Sequence, residues 1–206
     1  MNNVQVKICG LFRPQDITYV NEAKPDYAGF VFAKSKRQVT KEQAKKMSRE
    51  LDKEIIPVGV FVDAPIEQVA ELLNEEIIAI AQLHGAEDND YIEQLRSRIG
   101  TQKIIKAIRV RNAQDVAAID KSLADYVLFD AYSADAMGGT GTTFDWSAIG
   151  YIKRPFFLAG GISIDNVKEA TSVAPFALDI SSGVETNGIK DRKKILEIVN
   201  EIRTIK

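Results

Sequence analysis

Two side chains able to exchange protons each close an apolar run in this sequence. Cys9 ends VQVKIC and Asp130 ends DYVLFD. A thiol titrates at about 8.5, is easily shifted, and serves as a base once ionised. A carboxylate ending an apolar strand must be solvated or paired. A cysteine and an aspartate on opposite sides of one pocket could divide acid and base work without a metal. By type alone, a lone cysteine beside a strand is usually a small buried hydrophobe.

Late in the chain, LAGGIS (158–163) places glycine directly after an apolar run and DISSGVE (179–185) places it two serines after one. Glycine lets backbone N–H groups approach an anion closely, so Gly160, Gly161, Ser181, Ser182 and Gly183 form a candidate phosphate cradle. Taken singly, each segment is also an ordinary tight turn. A third glycine string, GGTGTTF (138–144), could add a backbone contact or a mobile lid. Arg37, within AKSKRQVT, could hold a carboxylate in a two-pronged pair, or simply belong to a solvated charge run with Lys34 and Lys36. Arg109 carries the same ambiguity. His84 could shuttle a proton, or be a hydrogen-bonded residue of the turn before Gly85. Asp179 lies inside an apolar strand, so it should point into a polar mouth or be paired. Phe144 and Trp146 read as core packing.

Positioning these groups requires a frame. Eight short apolar, β-branched runs recur, at 4–8, 27–32, 55–61, 77–83, 103–108, 125–130, 155–159 and 176–181. Most are nearly continuous rather than alternating, as strands are when both sheet faces are covered. Segments with helical spacing lie between them, at 14–23, 40–51, 65–74, 90–99, 112–123, 163–171 and 191–202. Thr40, Asp63 with Pro65, and Ser163 are start signals. With a short FDWSAIG helix completing the weak sixth unit, eight strand–helix units at about 26 residues each predict a closed (β/α)₈ TIM barrel, a single α/β domain over residues 1–206. An open doubly wound sheet is the rival. The barrel reading gathers nearly every unusual residue at one rim, the C-terminal ends of the strands.

Composition narrows the function. Of 206 residues, 27 are Lys or Arg and 29 Asp or Glu, so the formal charge of −2 lacks the basic footprint of a nucleic-acid binder. One cysteine excludes an internal disulfide and multi-cysteine metal sites, and one histidine excludes histidine-rich ones. No apolar run reaches membrane-spanning length and the N-terminus has no signal-peptide pattern, so no membrane partner and a cytoplasmic location are expected.

Read together, KICG, KSKR, QLHG, the strand-six Asp followed by GGTGxxFDW, LAGGI, DISSGVE and GIKD (188–191) occur in an order that resembles the phosphoribosylanthranilate isomerases of tryptophan biosynthesis. These motifs run from residue 7 to residue 191. The resemblance implies a (β/α)₈ barrel and an Amadori rearrangement of N-(5-phospho-β-D-ribosyl)anthranilate to 1-(2-carboxyphenylamino)-1-deoxy-D-ribulose 5-phosphate. It makes Cys9 the general base and Asp130 the general acid. Arg37 is then expected near the anthranilate carboxylate, His84 and Asp179 at the substrate, and Gly160, Gly161, Ser181, Ser182 and Gly183 at the phosphate. It implies no cofactor, no metal, and a small phosphorylated substrate as partner, with monomer and homodimer both open. Phe12, Gln15 and Asn187 depart from the pattern, where Thr, an acidic residue and Pro are more usual. The rivals are other phosphate-binding barrels, such as indole-glycerol-phosphate synthase or the histidine-pathway aminoaldose isomerase, and a barrel that binds a phosphorylated ligand without catalysis.

Overall fold

A computed structural model of the chain describes residues 4–109, 121–130 and 154–205. Most of the helix expected over 112–123, the string 138–144, and the short FDWSAIG helix with Phe144 and Trp146 lie outside the described residues, as does the side chain of Arg109.

Eight parallel strands close into a barrel in sequential order. They are β1 (Gln5–Cys9), β2 (Tyr27–Val31), β3 (Ile56–Phe61), β4 (Ile80–Leu83), β5 (Lys103–Arg109), β6 (Tyr126–Asp130), β7 (Phe156–Ala159) and β8 (Ala177–Ile180). Closure of β1 on β8 excludes the open-sheet alternative. The described helices are α1 (Pro14–Ala23), α2 (Lys41–Glu50), α3 (Ile66–Asn74), α4 (Asn89–Arg96), α5 (Val167–Ser172) and α6 (Arg192–Thr204).

Side-chain alternation splits the apolar residues into two cores. Val6, Ile8, Phe30, Phe61, Leu83, Ile104, Phe129, Leu158 and Leu178 face outward under the helices. Tyr27, Val58, Ile80, Ile105, Leu128, Phe157 and Ala177 face inward and fill the barrel. Aromatic edge-to-face contacts of Phe157 with Tyr27 and Tyr126 plug its lower part. This two-sided burial explains why the strands read as continuous apolar runs.

Local signals set most boundaries. Thr40 caps α2, its hydroxyl accepting from the Gln43 amide while the Gln43 side chain accepts from the Thr40 amide at 2.8 Å. The carboxylate that organises the start of α1 is Asp16. It is fully buried and accepts from the backbone amides of Phe12 and Arg13 at 3.1 and 3.0 Å and from the Arg13 guanidinium at 2.6 Å. Gln15 beside it is exposed, so the departure at position 15 leaves this clamp intact.

Three expectations change. Strand four starts at Ile80 rather than 77, because Ile77 and Ile78 first close the end of α3, both amides donating to the Leu72 carbonyl after Glu76 turns left-handed at φ 56°. An apolar run that passes from helix end into strand has no periodicity to mark the change. The helix after β7 begins at Val167, and Asn166 caps backward onto the Ser163 amide at 2.8 Å. Asp63 is not a helix cap; it is left-handed at φ 50° and accepts from the Ala86 amide at 2.6 Å.

A small hairpin, β9 (Glu185–Thr186) with β10 (Ile189–Lys190), follows β8 and was not anticipated. Its turn is Asn187–Gly188 at φ 54° and 76°, the left-handed pair such two-residue hairpins need. Proline could not adopt that φ, which gives a physical reason for asparagine at 187.

Asp16→Ala should lower unfolding free energy by about 2–3 kcal/mol, since it strands two backbone amides and a guanidinium. Thr40→Ala should cost about 1 kcal/mol. Urea denaturation checks the order; an Asp16→Ala protein no weaker than Thr40→Ala would contradict it.

Candidate active site

At the C-terminal rim, the inward positions turn polar. On β1, Lys7 and Cys9 share the inward face, two residues apart. Lys7 pairs in register with Asp179 of β8, and its ammonium donates to Asp179 Oδ2 at 2.9 Å. Lys7 is 0% exposed and Asp179 7%. Gly29 on β2 faces the same spot: a Cβ there would stand 2.8 Å from Cys9 Sγ and 3.2 Å from Lys7 Nζ. Thiol and ammonium therefore border one methyl-sized space that only glycine leaves open. Burial pushes the Cys9 thiol above its ordinary range, opposed by the charge of Lys7 and assisted by that of Asp179. The free protein thus holds Cys9 as a thiol at neutral pH. Burial acts to lower Lys7, yet the negative charge of Asp179 and the Cys9 sulfur outweigh it and hold the ammonium charged.

Across the mouth, Asp130 ends β6 and meets His84, which follows β4; His84 Nε2 lies 3.1 Å from Asp130 Oδ2. The other ring nitrogen, Nδ1, lies 3.1 Å from the amide nitrogen of Gln82. With the Gln82 amide set in this orientation its NH₂ donates to Nδ1, which assigns the ring proton to Nε2, aimed at Asp130. Buried Glu87 braces the loop carrying His84, accepting from the amides of Asp63 and Gly85 at 2.8 Å each and from the Lys106 ammonium at 3.0 Å. His84 is therefore both a hydrogen-bonded turn residue and a partner of the acid candidate.

Arg37 is not a loose surface charge. Its Nε and Nη2 form a two-pronged pair with Glu185 of β9, both at 2.7 Å. Glu185 also accepts from Lys190 of β10 at 2.7 Å, and Lys190 reaches back to the Ser181 carbonyl at 2.9 Å. Burial opposes ionisation of Glu185, but hydrogen bonds from Arg37 and Lys190 prevail and hold its carboxyl below the usual range. Burial pulls the Lys190 ammonium down, with Glu185 only partly restoring it. Gly10, at φ 81°, lets Arg37 cross the end of β1: a Cβ there would sit 2.6 Å from Arg37 Cδ.

The two glycine segments come together. Gly160 and Gly161 turn left-handed after β7, at φ 95° and 66°. After β8, Ser181 precedes a single 3₁₀ turn, Ser182–Val184, and the Ser181 hydroxyl donates to the Cys9 carbonyl at 3.1 Å. A Cβ on Gly183 would collide with the backbone carbonyl of Ile162, so the loops after β7 and β8 touch at that glycine. Gly161 instead borders open space.

The structure thus brings Cys9, Asp130, His84, Asp179, Arg37 and both glycine segments to one rim. Lys7, Gln82, Glu87, Glu185 and Lys190 escaped sequence reasoning. Lys7 and Gln82 carried a usable signal, since each is a polar residue at the inward parity of an apolar strand, two before a candidate. Glu185 and Lys190 lie within DISSGVE and GIKD, but nothing local marks Glu185 as the partner of Arg37, 148 residues away.

Gly183→Ala should reduce stability more than Gly161→Ala, because the first meets backbone that cannot swing aside. The second suffers only the left-handed strain of about 1–2 kcal/mol. Thermal melts of both variants test this, and equal losses would contradict the contact.

Comparison with known proteins places this geometry. The family model for N-(5'phosphoribosyl)anthranilate (PRA) isomerase matches residues 6–201. The N-(5'-phosphoribosyl)anthranilate isomerase of Endomicrobium trichonymphae is 46% identical over 202 residues, covering 98% of this chain and 99% of that protein. The crystal structure of phosphoribosyl anthranilate isomerase from Thermotoga maritima superposes with a TM-score of 0.87 at 35% identity, covering 98% of this chain and 100% of that one. A further phosphoribosyl anthranilate isomerase, solved in complex with reduced 1-(o-carboxyphenylamino)-1-deoxyribulose 5-phosphate, matches with a TM-score of 0.80 at 32% identity, covering 98% and 100% of the two chains. With its closed barrel and the ordered motifs at its rim, the chain belongs to the phosphoribosylanthranilate isomerase family.

Proposed function

We propose that the phosphoribosylanthranilate isomerase activity of this chain is carried by Cys9 as base and Asp130 as acid. The observation that supports this division is their placement at one rim, inward-facing on β1 and β6, with His84 Nε2 against the Asp130 carboxyl. Asp130 protonates the furanose ring oxygen of N-(5-phospho-β-D-ribosyl)anthranilate, and the ring opens to a Schiff base. Cys9 releases its thiol proton to solvent at the open mouth and, as thiolate, removes the proton from sugar carbon 2. The resulting enolamine tautomerises to 1-(2-carboxyphenylamino)-1-deoxy-D-ribulose 5-phosphate. The anthranilate nitrogen supplies the electron push, so the residues named suffice for the proton movements. His84, with its proton on Nε2, stabilises the carboxylate that Asp130 becomes after donating.

The remaining groups hold the substrate. The paired loops at Gly160–Gly161 and Ser181–Gly183 form the phosphate cradle; their glycines keep side chains away from the backbone an anion would approach. Arg37, pinned by Glu185 through Nε and Nη2, turns its Nη1 toward the anthranilate carboxylate. Asp179 Oδ1, buried with no hydrogen-bond partner among the described residues, accepts from a sugar hydroxyl. Small-molecule recognition accounts for the whole rim. Among the described residues, no helix is long and apolar enough to cross a membrane.

Acid and base placement each contribute on the order of 10²- to 10⁴-fold. Cys9→Ser and Asp130→Asn should each lose turnover on that scale while KM stays near the parent value. The assay is loss of fluorescence from freshly generated phosphoribosylanthranilate. Near-parental turnover of Cys9→Ser would remove Cys9 from the mechanism.

Arg37→Ala should raise KM more than it lowers kcat, because the carboxylate is held equally throughout the reaction. An unchanged KM in a folded Arg37→Ala protein would confine Arg37 to bracing the hairpin.

A further inference from the structure

A wholly buried lysine inside a barrel otherwise packed with apolar and aromatic side chains calls for an explanation. For stability alone, an apolar pair at Lys7 and Asp179 would serve as well or better, since desolvating two charges costs more than their attraction reliably returns. The pair is also incomplete, because Asp179 Oδ1 has no hydrogen-bond partner among the described residues. The Lys7 ammonium is placed for something besides Asp179. Across the Cβ-sized gap left by Gly29 it faces Cys9 Sγ, on the same strand and the same face.

We infer that Lys7 is a positioning residue for Cys9, its buried ammonium acting as a counter-ion shared between the Asp179 carboxylate and the Cys9 sulfur. This rests on the reading of Cys9 as the base. When the thiol loses its proton, the ammonium is already in place to balance the new charge, so the barrel interior need not reorganise. Asp179 keeps the lysine charged and fixes its direction, and by the same charge it restrains ionisation of the thiol until substrate engages its free oxygen.

Other charges also face the sulfur. Lys190 comes from the hairpin after β8 and Arg37 from the loop after β2, but both are bound to Glu185. On the other side, β2 places Gly29 in register with Cys9 and Tyr27 in register with Lys7. Lys7 influences the thiol more strongly than Lys190 does. It is also the cation that shares the inward face of β1 with Cys9.

Because Cys9 is the sole cysteine of the chain, alkylation of the full-length protein by iodoacetamide reports its ionisation without ambiguity. The rate is followed against pH, and the high-pH plateau separates ionisation from access. Lys7→Met should move the profile to higher pH and slow alkylation at neutral pH by roughly tenfold. Asp179→Asn should move it the opposite way by a similar factor. Lys7→Met leaves a buried carboxylate unpaired and can fail to fold, so the double variant Lys7→Met/Asp179→Asn is compared with Asp179→Asn alone, where the same slowing is expected. A merely structural ion pair would shift melting temperature but not give profiles of opposite sign. Profiles that coincide with the parent's would overturn the proposal and leave Lys7 as a strut. Loss of turnover in Cys9→Ser is read separately, so failure of the base assignment and failure of this one are distinguishable.

Discussion

Alternation along eight parallel strands, closed without an edge, decides which side chains can meet in this protein. Register fixes the partners: Asp130 stands beside Ala159, Ala159 beside Asp179, and Asp179 beside Lys7. Each points inward because its neighbour does. A one-residue slip in any of these strands would turn its polar residue out under the helices and bring an apolar one into the mouth. The two apolar cores hold that register, since most described strand positions on both faces are buried. The chemistry at the rim is thus a consequence of packing far below it.

Charge at the rim is managed by cross-strand pairing rather than by solvent. Lys7 with Asp179 and Arg37 with Glu185 join elements far apart in sequence, Lys106 with Glu87 ties β5 to the loop after β4, and Lys190 with Glu185 closes the hairpin after β8. Such buried pairs add little to stability in themselves. What they supply is fixed direction. The guanidinium of Arg37 is aimed, the ring of His84 is held in one tautomer by Gln82, and the ammonium of Lys7 is held against a thiol that burial keeps protonated. A cavity preset in this way needs little rearrangement as charge develops on a substrate.

Much of this was legible beforehand. Continuous apolar runs between helical segments indicated a sheet covered on both faces, and the start of α2 followed from Thr40. Where legibility failed, the cause was physical. The run from Ile77 mixes a helix end with a strand start, and Asp63 resembles a cap but serves a loop contact. The hairpin at Asn187–Gly188 did carry a local signal, the dipeptide suited to a left-handed turn, but its two-residue strands are too short to show a period.

Sequence by itself determined the alternation of strands and helices, the acid and base candidates at strand ends, and the glycines that loosen the loops after β7 and β8. Each is a local matter of residue type, period or turn chemistry. Tertiary structure alone decided who pairs with whom. Lys7 and Asp179 are 172 residues apart and Arg37 and Glu185 are 148 apart. They meet because the first strand closes on the last and because the segment after β8 folds back over β1 and β2. Periodicity can say that a lysine faces inward, but its partner is set by barrel closure and stagger, which are properties of the whole ring.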